Sequence, residues 1–125
     1  AYGYFSEAEA CYRVAVEMKP DNPEWVHHWG FALERIGMIA EANDRYERAI
    51  ELKHPDPKGC WYSIGRNHLR LEKPDAALAA FQKAGDQPPA RYEIARILER
   101  QGKTAEALAI VDQLAAQHPE GIRIR

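Results

Sequence analysis

The chain has few of the residues from which disulfide-rich scaffolds and metal-binding modules are built. Its 125 residues include two cysteines, Cys11 and Cys60, in no metal-ligand or redox spacing. They lie in different segments, so we expect no disulfide between them. We expect both thiols to be buried as small hydrophobic groups. Free thiols favour a reducing compartment such as the cytoplasm.

The sequence also lacks an excess of charge and any long apolar run. Its formal net charge is −2 and its pI is about 6.2, so nucleic acid and anionic membranes are not expected partners. No stretch approaches the ~20 apolar residues that a membrane-spanning helix needs, which predicts no membrane insertion. There is no glycine-rich phosphate loop and no nucleophile elbow. We therefore predict no catalytic residue, no cofactor and no enzymatic activity.

What the chain does contain is helical periodicity, most clearly between Asn22 and Pro57. One apolar stripe at helical spacing is formed by Trp25, Trp29, Leu33 and Ile36, and a second by Ile39, Ala42, Tyr46, Ala49, Ile50 and Leu52. Gly37 ends the first helix because glycine takes the left-handed conformation without steric cost. Prolines 55 and 57 end the second helix. This stretch predicts two antiparallel helices.

Small residues mark the positions where these two helices approach each other. Gly30 lies in the middle of the first helix, where glycine costs about 1 kcal/mol relative to alanine. We expect a neighbouring backbone or a large side chain to pack against it. On the second helix, Tyr46 is the large residue between two alanines, Ala42 and Ala49.

The same pattern recurs along the chain. Gly65 follows Gly30 by 35 residues, and Ala77, Phe81 and Ala84 follow Ala42, Tyr46 and Ala49 by the same interval. Ala95 follows Gly65 by 30 residues, so the second helix or its exit is shorter before Pro88. Residues 3–20 read as the second half of an earlier unit, with a helix over 5–18 that begins near Ser6.

These residues resemble the tetratricopeptide repeat family, whose units of about 34 residues follow the pattern W-x2-L-G-x2-Y, A-x3-F and P. The third unit matches best, with Trp61, Ile64, Gly65, Ala77, Phe81, Ala84 and Pro88. The resemblance implies an all-α fold, a right-handed α-solenoid of antiparallel helix pairs. The predicted units are residues 1–22 (a second half), 23–57, 58–87, 88–121 and 122–125 (the start of another). Because polar capping repeats are missing, we expect a piece of a longer array.

The resemblance also implies a function, since the first helices of successive units line a concave groove that binds peptides or helices. By register, the predicted groove residues are His27, Phe31, Arg35, Tyr62, Arg66, Arg70, Tyr92 and Arg96. Arginine and tyrosine dominate interface energies, and this basic, aromatic strip suits an acidic or carboxylate-bearing protein segment. The alternative left open is that the arginines pair with Glu34, Glu93 and Glu99.

Histidine offers a further interpretation of the second unit. Glu24 shares a helix face with His27 and His28, a spacing at which a metal site is conceivable. No other ligand accompanies them in the sequence, so we predict no metal, and we read His54, His68 and His118 as isolated.

Two other functions stay open beside the interaction scaffold. The chain could be a structural segment that self-associates through its uncapped ends. It could also be the accessory repeat domain of a larger enzyme such as a glycosyltransferase, sulfotransferase or kinase.

Overall fold

A computed structural model of the chain describes residues 2–117, of which the side chain of Tyr2 is not described. This range contains seven α-helices and no strand, which confirms the all-α prediction. The helices are α1 (Tyr2–Met18), α2 (Pro23–Arg35), α3 (Ile39–Glu51), α4 (Pro57–Arg70), α5 (Pro74–Lys83), α6 (Pro88–Arg100) and α7 (Thr104–Gln117).

Helices adjacent in sequence pack against each other from α1 through α7, which makes the fold a solenoid of helix pairs. The complete pairs are α2 with α3, α4 with α5 and α6 with α7. The unit boundaries given above stay predictions. His118 and the predicted start of another unit at 122–125 lie outside the described residues. The shorter segment before Pro88 is explained by α5, which has 10 residues where α3 has 13.

Local chemistry sets the helix ends. Proline occupies the first turn of α2, α4, α5 and α6, where its missing amide hydrogen is not needed. The side chain of Asn22 accepts a hydrogen bond from the amide of Trp25 at 3.1 Å, and that of Asp56 accepts one from the amide of Gly59 at 3.0 Å. Both side chains are therefore N-caps, which satisfy amides that lack a partner within the helix.

The turn inside each pair needs a residue in the left-handed conformation. Gly37 and Gly102 supply it with φ of 93° and 84°. At the corresponding place between α4 and α5, Glu72 adopts φ of 58° instead. The turn geometry is thus kept where the sequence has no glycine.

Two expectations about the first helix are wrong. Helix α1 begins at Tyr2, so Ser6 lies inside the helix and does not begin it. Cys11 is exposed, whereas Cys60 is buried as predicted. The reason is that Tyr12 faces α2, with its ring 5.3 Å from that of His28. A residue one position away points about 100° around the helix, so the Cys11 thiol is directed off that contact.

The mid-helix glycines have the packing role that the pattern predicts. A Cβ atom built on Gly30 would lie 3.1 Å from the ring of Tyr46, and one on Gly65 would lie 2.7 Å from the ring of Phe81. Both aromatic rings are fully buried, at 1% and 0% exposure. Glycine therefore lets the first helix of each pair approach the aromatic residue of the second.

Candidate partner-binding face and the polar layer beneath it

The first helices of the pairs, α2, α4 and α6, lie next to one another and form one side of the array. Asn67 on α4 donates a hydrogen bond to Glu34 on α2 at 3.2 Å. Tyr62 on α4 packs against the buried cluster that contains Ile97 of α6. We call the exposed surface of these three helices the A-helix face.

The structure divides the eight residues of the predicted groove into two sets. Six are exposed on the A-helix face: Phe31, Arg35, Arg66, Arg70, Tyr92 and Arg96. The other two, His27 and Tyr62, are half-buried where one helix pair meets the next. Tyr92 occupies the equivalent position in the last pair, yet it is 50% exposed. The reason is that no further helix follows α7 within the described range to cover it.

Aromatic rings support the arginines of the A-helix face. The guanidinium of Arg66 lies 5.9 Å from the ring centre of Tyr62, and that of Arg96 lies 6.0 Å from the ring centre of Tyr92. On α2, Arg35 instead lies 5.1 Å from the ring centre of Phe5 on α1. These cation–π contacts hold the side chains over apolar surface while the charge stays in contact with solvent.

The arginines differ in their ionic partners. Arg96 forms an exposed ion pair with Glu93 at 3.0 Å, an arrangement that contributes little to stability. Within residues 2–117, Arg66 and Arg70 form no ion pair, although they line a small pocket together with Glu34, Ser63 and Asn67. The A-helix face therefore presents two arginines, Arg66 and Arg70, that form no ion pair within the described residues.

Glu34, which lines this pocket with the two arginines, is held by a polar layer. Its Oε1 atom accepts hydrogen bonds from the hydroxyl of Tyr46 at 2.9 Å and from Nδ2 of Asn67 at 3.2 Å. Asn67 also donates to Oδ1 of Asn43 at 2.9 Å, and both amides are buried. Burial raises the pKa of Tyr46 far above its ordinary value, and the carboxylate of Glu34 raises it further, so the phenol stays a neutral donor.

A second group of polar side chains lies where α2, the end of α3 and the start of α4 meet. The rings of His27 and His54 are 4.7 Å apart, and His27 is 5.3 Å from the ring of Tyr46. Nε2 of His54 lies 3.2 Å from the carboxylate of Glu24, and its Nδ1 accepts a hydrogen bond from the amide of Asp56 at 3.0 Å. The reading of His54 as isolated is therefore wrong.

Burial and charge shift the acid–base behaviour of this group. Burial lowers the pKa of His27, and the neighbouring imidazoles of His54 and His28 lower it further. Burial together with the carboxylates of Asp56 and Glu24 raises the pKa of the Cys60 thiol to about 11. The neutral imidazole and the protonated thiol are thus favoured near pH 7.

Sequence reasoning missed the buried amides and the partners of His27. Asn43 and Asn67 belong to no motif of the repeat pattern. Cys60 was expected to be buried, but nothing in the spacing placed it beside two histidines. The repeat itself contains a signal for the polar layer, because Asn43 and Asn67 occupy the positions at which the next unit has Leu78 and Ile97.

Comparison with known proteins agrees with the repeat pattern. The sequence model of the tetratricopeptide repeat family matches residues 62–122. The human protein O-mannosyl-transferase TMTC3 is 28% identical over 102 residues, which cover 78% of this chain and 11% of that protein. The chain thus spans a small part of this relative. Among the described helices, none has the length and apolar character required to cross a membrane.

Solved structures share the fold over nearly the whole chain. The crystal structure of MamA superposes with a TM-score of 0.80 at 20% identity, covering 94% of this chain and 70% of that one. YrrB, described as a TPR protein with an unusual peptide-binding site, superposes with a TM-score of 0.77 at 25% identity, covering 94% of this chain and 62% of that one.

Proposed function

Because the chain belongs to the tetratricopeptide repeat family, we propose that it binds a peptide or a helical segment of a partner protein on its A-helix face. This repeat fold is that of a protein-interaction scaffold and is typically non-catalytic. The observation that carries the proposal is the pair of exposed arginines, Arg66 and Arg70, which have no ion-pair partner in residues 2–117. The peptide-binding site named for YrrB adds support by similarity.

The chemistry of this face favours an acidic segment. Guanidinium groups form paired, charge-assisted hydrogen bonds with carboxylates. Phe31 and Tyr92 add exposed aromatic area at either side of the arginines, and aromatic side chains supply much of the binding energy at interfaces. An acidic segment with an apolar residue would match both features.

The direct test is a selection of random linear peptides on the immobilised chain, followed by fluorescence anisotropy with the peptides obtained. We expect peptides rich in aspartate and glutamate. The double variant Arg66→Glu/Arg96→Glu should bind them about tenfold more weakly or worse, because hydrogen bonds to charged groups contribute about 1.5–3 kcal/mol each.

The matched control is Arg13→Glu/Arg48→Glu, which changes net charge equally on α1 and α3. Both of these arginines are exposed and lie outside the A-helix face. Equal loss of binding in the two double variants would show that net charge, and not the A-helix face, governs binding. Selected peptides without acidic residues would contradict the acidic partner.

A second candidate function rests on the similarity to the human O-mannosyl-transferase. We propose that this chain can serve as the repeat segment of a larger glycosyltransferase, with the chemistry outside these residues. Sugar transfer by such a parent protein onto protein acceptors would then fall with Arg66→Glu/Arg96→Glu, while hydrolysis of the sugar donor would not. Unchanged transfer would remove this candidate.

Self-association stays a prediction beside these two. Tyr92 and Leu108 are exposed and border one pocket between α6 and α7. Light scattering across a concentration series should show a rising mass if this apolar surface joins copies of the chain. The substitution Leu108→Glu should then return the chain to a monomer.

A further inference from the structure

Three segments that are distant in sequence bring metal-ligand side chains together. His27 comes from α2, His54 from the residues after α3, and Cys60 from the first turn of α4. One ligand atom from each lies within 4.8 Å of the others. No local motif encodes this group, because only the packing of α2 and α3 on α4 assembles it.

The group is shielded from solvent. Cys60 is 1% exposed, the side chain of His54 is 9% exposed, and His27 is half-buried. At the next junction along the array, the positions of His27 and Cys60 are taken by Tyr62 and Ala90. Packing at this place in the fold therefore requires neither imidazole nor thiol.

The surrounding charge is negative and so favours a cation. The carboxylate of Glu24 lies 3.2 Å from Nε2 of His54. Glu24 and Asp56 both act electrostatically on the thiol of Cys60. A bound divalent ion is the kind of charge that reverses this effect and stabilises a thiolate.

We propose that His27, His54 and Cys60 bind one divalent ion of the zinc class, through two imidazole nitrogens and one thiolate. Nitrogen and sulfur ligands select zinc over magnesium and calcium. Zinc bond lengths of about 2.0–2.1 Å to nitrogen and about 2.3 Å to sulfur place tetrahedral ligands roughly 3.3–3.6 Å apart. The ligand atoms lie up to 4.8 Å apart in this structure, so binding requires them to approach by as much as roughly 1.5 Å. On binding, the thiol releases its proton to solvent.

The carboxylate of Glu24 has a positioning role in this site. It lies 3.2 Å from Nε2 of His54, and a carboxylate that orients the ring of a metal-binding histidine is a frequent partner in such sites. With Nε2 facing Glu24, the ion binds Nδ1 of His54 and displaces the amide of Asp56, whose hydrogen bond Nδ1 accepts in this structure. The ion would connect the α2–α3 pair to α4. Because it binds the folded chain, it stabilises that junction by mass action.

The test uses the full chain without an affinity tag, reduced and freed of metal, titrated with cobalt(II) and then with zinc(II). We expect one equivalent of cobalt to give thiolate-to-metal charge-transfer absorption that zinc abolishes. Zinc should also raise the melting temperature. Cys60→Ser should remove the absorption, and His27→Gln and His54→Gln should each weaken binding about tenfold or more.

The chain provides its own matched controls. Cys11→Ser changes an exposed thiol and His28→Gln an exposed neighbouring histidine, and both should leave binding unchanged. Absorption that survives Cys60→Ser or disappears in Cys11→Ser would overturn the proposal, as would no absorption in the wild-type chain. If Cys60→Ser fails to fold by circular dichroism, Cys60→Ala, which copies Ala90, takes its place. A zinc-induced rise in melting temperature that persists in Cys60→Ala would equally overturn the site.

Discussion

The two junctions between complete helix pairs use corresponding positions with different chemistry. Where α2 and α3 meet α4, the half-buried Glu34 and the buried Asn43 and Asn67 are joined by hydrogen bonds. Where α4 and α5 meet α6, the corresponding residues are Leu69, Leu78 and Ile97, which pack in an apolar cluster. The first junction adds a polar layer to its apolar core, and the second relies on apolar contact.

The difference shows what each junction tolerates. An apolar junction is stabilised in proportion to the area that it buries, and it accepts substitutions that keep volume. A buried polar layer depends on its hydrogen bonds, since each unpaired buried group costs about 1–3 kcal/mol, and Nδ2 of Asn43 is already buried without a hydrogen-bond partner. The first junction is therefore more specific and more fragile. The glycine variants below compare the contacts within two pairs, and the polar variants after them test the contrast between the junctions.

The largest effect should come from the glycines that face the two aromatic rings. Gly65→Ala places a Cβ 2.7 Å from Phe81, a ring buried on all sides, and should destabilise by about 2 kcal/mol. Gly30→Ala meets Tyr46 at 3.1 Å, and its helix propensity gain of about 1 kcal/mol offsets most of the milder overlap. Urea unfolding measures both. A larger loss for Gly30→Ala than for Gly65→Ala would contradict this ranking of the two contacts within pairs.

Removal of one polar partner at the first junction should have the next largest effect. Asn67→Leu leaves Oδ1 of Asn43 buried without its donor and should cost about 1–3 kcal/mol in the free energy of unfolding. Asn43→Leu/Asn67→Leu copies the apolar chemistry of the second junction and should recover part of that loss. A double variant less stable than Asn67→Leu would contradict this account of the layer.

The hydroxyl of Tyr46 should contribute less. Tyr46→Phe removes one hydrogen bond to Glu34 and copies Phe81, so we expect a loss of about 1 kcal/mol. The reciprocal variant Phe81→Tyr buries a hydroxyl among apolar residues and should cost more. Thermal unfolding of the two variants, compared at one temperature, gives the ranking. Equal losses would show that the two junctions do not differ at this position.

The smallest effect concerns pH. Burial and the charge of Lys73 lower the pKa of His68, with Glu47 opposing, so the unfolded chain binds the proton more readily. Stability from this group is present above pH ~6.5 and falls as the pH drops below it. Leucine occupies the matching positions 33 and 98. His68→Leu should remove this part of the pH dependence, by less than about 1 kcal/mol because solvent screens the ring. Urea unfolding on both sides of pH ~6.5 gives the free energy of unfolding as a function of pH. The same pH dependence in His68→Leu and in the wild-type chain would contradict this role of His68.

The repeat pattern predicts most of the fold because its residues are the ones that make contact between the two helices of each pair. Gly30 and Tyr46 meet as their spacing predicts, and so do Gly65 and Phe81. The all-α solenoid follows from that periodicity together with the prolines and the glycine turns. These signals are local, since each reports on neighbouring helices.

The contacts between pairs were harder to predict, because they depend on turns that the sequence does not mark. Lys53 adopts the left-handed conformation with φ of 68°, although lysine is not a residue type that favours this conformation. The turn that follows α3 brings His54 to His27, a contact that spacing along one helix cannot reveal. The eight groove residues follow from register alone, and their role in binding stays a proposal.

Binding at the A-helix face can be located by an amide chemical-shift map of the isotopically labelled chain with one selected acidic peptide. The account predicts shifts concentrated on exposed residues of α2, α4 and α6, near Arg66 and Arg96, and their loss in Arg66→Glu/Arg96→Glu. Shifts concentrated on α3 and α5, and retained in that double variant, would contradict binding at the A-helix face.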